Sequence, residues 1–94
     1  MIWTWDPDKN FVNQDKHRVS FETAQLVFDD PLALMRPDPY PYESRWQTVG
    51  TVNMVTLLVV DTRLDSDSDL QGGRIISARR ATRVERRAYE EGDF

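Results

Sequence analysis

The chain contains no cysteine and a single histidine, His17. The first absence excludes disulfides, zinc–thiolate centres and thiol nucleophiles, and it suits a reducing compartment. The second means that any imidazole-dependent proton transfer falls to His17. Long hydrophobic runs are missing too. The longest, VTLLVV at 55–60, is six residues, against the ~18–20 that a membrane-spanning helix needs. The opening MIWTWDPDKN has no basic region followed by an apolar stretch, so it does not read as a signal peptide. Together these features predict a cytoplasmic domain with no membrane contact.

What is present suffices for one globular domain over residues 1–94. Hydrophobic residues make up 39% and aromatics 11%, too many for a disordered chain. The formal net charge is −4, but it is unevenly spread. Residues 1–70 carry 12 acidic and 6 basic side chains, whereas residues 71–94 carry 4 acidic and 6 basic ones. All six of the latter are arginines between 74 and 87, where Glu85 is the only acid. Arginine presents a planar fork that remains charged and matches phosphate oxygens, so a local basic patch within an acidic chain points to an anionic ligand.

Local signals divide the chain into elements. IWTW at 2–5 reads as a short strand. Asp6 before Pro7 is a helix start, with the helix running from Pro7 to about His17. Ser20 caps a second helix across FETAQLVF, ended by Asp30-Pro31. LALM at 32–35 is a strand, and RPDPYPYES at 36–44, with three prolines, is a loop. RWQTVG (45–50) and NMVTLLVVDTR (53–63) are strands with a turn near 50–52. LDSDSDLQGG (64–73) is a hairpin loop, and RIISAR (74–79) is the last strand. Thr82 and Glu85 have capping-box spacing and Gly92 is a stop, which defines a final helix. The expected fold is α+β: a small antiparallel sheet with helices on one face.

Several side chains suggest chemistry, each with a plainer explanation beside it. Strand alternation places Ile75, Ser77 and Arg79 on one face, and Arg79 at the strand's end beside the final helix. Arg86 with Glu90, and Arg87 with Glu91, have i,i+4 spacing and suit a solvated face with ion pairs. That explanation leaves out Arg79 and Arg80, so phosphate binding is the rival reading. Glu85 and Tyr89 are four apart and suit acid–base work, or else a cap and a half-buried aromatic. The alternating aspartates of 65–69 start like a calcium loop but lack its glycine and its terminal glutamate, so no metal site is expected.

WDPDKNFVNQDKH followed by VSFETAQLVFDDPLAL, together with RIISARRATRVERRAYEEG at the other end, resembles the BrnT family of toxins. The resemblance implies a RelE-like fold and a ribonuclease of a type II toxin–antitoxin pair that uses no cofactor. It also implies an antitoxin of the BrnA kind, whose ribbon-helix-helix domain would carry any contact with operator DNA. Matching positions give Lys9, Asn13, Lys16, His17, Arg63, Arg79, Glu85 and Tyr89 as the site. The expected catalytic roles are charge stabilisation by Arg63 and Arg79, acid or base chemistry by His17 or Glu85, and positioning or stacking of RNA by Tyr89, with Lys9, Asn13 and Lys16 binding RNA. Arg80 and Arg83 join the RNA-binding set through the basic cluster. Arg18 stands where such proteins commonly have glycine, which predicts a backbone with positive φ just after the first helix. Asp61 replaces the more usual aromatic or histidine. The other class of function considered is a non-catalytic module whose arginine patch docks on an acidic partner.

Overall fold

The computed structural model describes residues 2–63 and 72–94. The calcium-like stretch 65–69 therefore lies outside the described residues. The elements in chain order are β1 (Ile2–Thr4), α1 (Pro7–His17), α2 (Phe21–Ala24) continuing into a 3₁₀ helix (Gln25–Asp29), β2 (Leu34–Pro37), β3 (Arg45–Val52), β4 (Val55–Arg63), β5 (Gly72–Arg80) and α3 (Arg83–Glu91). The class is α+β, as the sequence indicates.

Capping chemistry sets the helix ends. Asp8 N–H donates to Asp6 Oδ1 at 2.8 Å, and Pro7 occupies the first turn, where no N–H is needed. Ser20 Oγ accepts from Thr23 N–H at 3.1 Å. At α3 the box is reciprocal: Glu85 N–H donates to Thr82 Oγ1, and Thr82 N–H donates to Glu85 Oε1. Gly92 closes α3 at φ 69°. Arg18 closes α1 at φ 61° and ψ 25°, the left-handed conformation expected of that position.

The five strands form one sheet in the order β1-β5-β4-β3-β2. It is mixed rather than wholly antiparallel, because β1 pairs with β5 in parallel, Trp3 opposite Gly73. Pro37 ends the edge strand β2, where a missing N–H breaks no ladder. The β3–β4 turn is Asn53-Met54, both at positive φ, two to three residues later than expected. Gly50 belongs to β3 instead, and its lack of a side chain serves packing: a Cβ there would lie 2.8 Å from Val27 Cγ1.

A further departure is a bulge. Val60 faces Ser77 but Asp61 faces Ile75, so Ile76 is an extra residue in β5. Ile75 and Ala78 thereby share one face, both fully buried with Phe21, Val27 and Val59 beneath α1 and α2. Strict alternation had placed them on opposite faces. On the reverse face, Val49 and Leu58 form a buried cross-strand pair next to Arg79, and α3 packs there. Helices thus cover both faces rather than one.

Candidate active site and RNA interface

β1 pairs with β5 only as far as Arg74, which leaves the outer edge of residues 75–80 open. α1 closes that edge with one side chain. Asn13 Nδ2 donates to Ala78 O at 2.8 Å and to Val19 O at 2.9 Å, and Ala78 N–H donates to Asn13 Oδ1 at 3.1 Å. The amide thus stands in for a neighbouring strand. Asn13 is buried with both amide hydrogens engaged, so in this structure its amide serves as a clamp.

On the same side of α1, Lys9, Lys16 and His17 follow the i, i+7, i+8 spacing of a single helix face. With Ser77 and Ile76 of β5 they line a groove of about 330 Å³, which Asp8 and Val12 also border. Two lysines, the histidine and a serine line one groove, residue types suited to holding a phosphate and moving a proton beside it. Ser77 was not among the expected residues; the bulge at Ile76 that positions it has no local sequence signal.

The arginine expected to hold phosphate is engaged elsewhere. Arg79 Nη1 donates to Glu85 Oε1 at 2.7 Å and Nη2 to Oε2 at 3.0 Å, a fork-to-fork pair. Those bonds bring the Glu85 carboxyl down to about 2, against the opposing effect of burial and with help from Thr82 N–H. A carboxylate that acidic holds no proton to donate near neutrality and is a weak base, so the acid–base role expected of Glu85 is not supported. The pair fastens α3 to β5.

Tyr89 does not join Glu85 in a site either. Its hydroxyl donates to Asp30 Oδ2 at 2.6 Å, which raises the phenol above its ordinary value. Burial alone would raise the Asp30 carboxyl, but the bonds from Tyr89 and from the N–H groups of Thr51 and Leu32 outweigh it and leave it lowered. This contact ties the end of α3 to the 3₁₀ helix.

Arg63 and Arg79 do not converge. Arg63 lies opposite Gly73 and Arg79 opposite Leu58, on different faces and toward opposite ends of the β4–β5 ladder. Arg63 Nε donates to Asp61 Oδ2 at 3.1 Å, and its guanidinium sits 5.9 Å and 5.8 Å from the rings of Trp3 and Trp46. Asp61 is fully buried with no partner for Oδ1 among the described residues, and burial raises its carboxyl despite the nearby Arg63. Arg80 and Arg83 are exposed, Arg80 on the α1 side of the sheet and Arg83 in the first turn of α3. The expected ion pairs of α3 are present, Arg87 with Glu91 at 3.3 Å and Arg86 with Glu90 at 4.0 Å. Among the described residues no three His, Cys, Asp or Glu side chains gather as metal ligands.

Of the ten expected site residues, the groove brings together Lys9, Asn13, Lys16 and His17. No curated protein matches the chain. Residues 5–85 match the family described as ribonuclease toxin, BrnT, of type II toxin-antitoxin system. With that match spanning nearly the whole fold, from the cap of α1 to the cap of α3, the chain belongs to the BrnT family of ribonuclease toxins.

Proposed function

We propose that RNA is cleaved in the groove between α1 and β5, by a metal-independent endoribonuclease mechanism that needs no cofactor. The observation that carries this reading is the meeting of the sole histidine with Lys9, Lys16 and Ser77 in one groove. RNA supplies its own nucleophile. The 2′-oxygen attacks the adjacent phosphorus, the bond to the 5′-oxygen breaks, and the products are a cyclic phosphate and a 5′-hydroxyl. His17 takes the 2′-hydroxyl proton, and an ammonium group of the groove protonates the leaving oxygen. Lys9 and Lys16 face the charge that builds on the phosphorane. Arg80 and Arg83 extend the cationic surface on either side of the α3 cap.

The type II assignment implies a protein antitoxin. We place its contact on α3, where Arg83, Arg86 and Arg87 are exposed and Val84 is 78% exposed. This surface suits an acidic segment with an apolar anchor, and the partner is of the BrnA ribbon-helix-helix kind, with operator DNA bound through it. The location is cytoplasmic. The deciding experiment incubates antitoxin-free protein with RNA in excess EDTA. Persistent cleavage with cyclic-phosphate ends is expected, and full loss that magnesium restores would overturn the mechanism.

A further inference from the structure

A second cleft, of about 280 Å³, opens on the other side of the α1 terminus, between α2 and the β3–β4 turn. Arg18 and Arg80 both line it, with Gln14, Ser20 and Asn53 as polar neighbours and Leu57 among the apolar ones. The chain has 16 acidic side chains against 12 basic ones, yet among the described residues no carboxylate lines this cleft. Arg45, Arg63, Arg79, Arg86 and Arg87 each pair with an acid. Arg18 and Arg80 pair with none among the described residues. Two arginines lining one cleft, with no acidic partner among the described residues, form a site for an anion.

Arg18 adds a backbone argument. It holds φ 61°, a conformation that a side chain with a Cβ resists. Strain kept at a charged residue lining a cleft is a pointer to use rather than to folding. Position identifies the anion. Arg18 directly follows His17, and Arg80 lies three residues beyond Ser77 on β5, roughly 10 Å along the strand. A chain leaving the His17 groove around the end of α1 therefore enters this cleft.

We infer that the Arg18–Arg80 cleft binds an RNA phosphate neighbouring the one that is cleaved, with Gln14, Ser20 and Asn53 available to the ribose hydroxyl and base edges. The inference rests on the ribonuclease reading of the adjacent groove. The cleft lengthens the recognised RNA beyond a dinucleotide and sets its direction across the protein.

The test uses the full chain, freed of antitoxin, and a 2′-O-methyl RNA oligonucleotide that cannot be cleaved. Affinity is measured over a salt series for the wild type, R18G, R80Q and the double variant. One lost phosphate contact should flatten the slope of log affinity against log salt by about 0.7 in the double variant. R18G doubles as its own folding control, because glycine accepts φ 61° and its Tm should equal or exceed the wild type. Unchanged slopes, with the wild type binding and cleaving RNA, would remove the subsite and leave the ribonuclease reading standing. Failure of the wild type to bind RNA overturns both. Loss of antitoxin affinity with an unchanged RNA slope assigns the cleft to the partner and also overturns the inference.

Discussion

Arg79 and Glu85 face each other fork to fork, Nη1 donating to Oε1 and Nη2 to Oε2, and the same carboxylate caps α3. Two residues that the family resemblance assigns to catalysis thus fasten helix to sheet. Arg79→Lys keeps the charge but loses the second parallel bond. We expect a loss of roughly 1–2 kcal/mol in stability, with cleavage per folded molecule within about threefold of wild type. A loss of 100-fold or more at full folding would return Arg79 to the catalytic set.

The same pair predicts an acid limb in the stability profile. Glu85 is depressed from 4.5 to about 2, so its contribution is complete above the unfolded value and is lost as pH falls through the folded one. The window is therefore about pH 5 to 2. Arg79 is 37% exposed, and screening reduces the contribution to roughly 1–2 kcal/mol. Urea midpoints of wild type and Glu85→Gln should converge across that window. Parallel curves would mean that the pair adds nothing.

Asp61 acts with the opposite sign. Burial raises its carboxyl above 3.8, so ionising it costs stability as pH climbs through the raised value. Asp61→Asn should match wild type near pH 3 and gain on it toward pH 7. If it loses ground instead, the ion pair with Arg63 outweighs the desolvation of Asp61.

His17→Ala should slow single-turnover cleavage by about 100-fold or more, with little change in Tm, since its side chain is only half-buried at a helix end. A near-normal rate moves the proton transfer to a lysine or to water.

Asn13→Ala strands the N–H and C=O of Ala78 and the C=O of Val19. The expected cost is roughly 2–4 kcal/mol, read from denaturant midpoints. Full stability combined with weak RNA binding would restore the contact role.

Legibility followed the range of the interactions. The Asp6-Pro7 start, the Thr82–Glu85 box and the Gly92 stop are local chemistry and could be read residue by residue. The left-handed Arg18 was legible by family resemblance. The parallel docking of β1, the bulge at Ile76 and the division of helices between the two faces depend on partners far along the chain. Gly50 shows how this misleads: a glycine that signals a turn was needed for the approach of Val27. In the site, Lys9, Lys16 and His17 share one helix face and stayed together. Asn13 looks like any other polar residue in sequence and only its hydrogen-bond partners reveal a structural use, whereas the cap formed by Glu85 was legible and its fork with Arg79 was not.

The walls of the groove come from distant parts of the chain, with Asn13 and Ala78 sixty-five residues apart. During synthesis α1 emerges early, but its counterpart emerges only when β5 has been made. A polypeptide halted before β5 lacks the second wall, the clamp and Arg80, and so carries no groove. At ~5–20 residues per second, the proposed site would stay incomplete until β5 has been synthesised. Activity in the proposed groove would then begin only once β5 has been made and has paired with β4. Fragments ending at residue 71 should be inert toward RNA, and cleavage by such a fragment would contradict this timing.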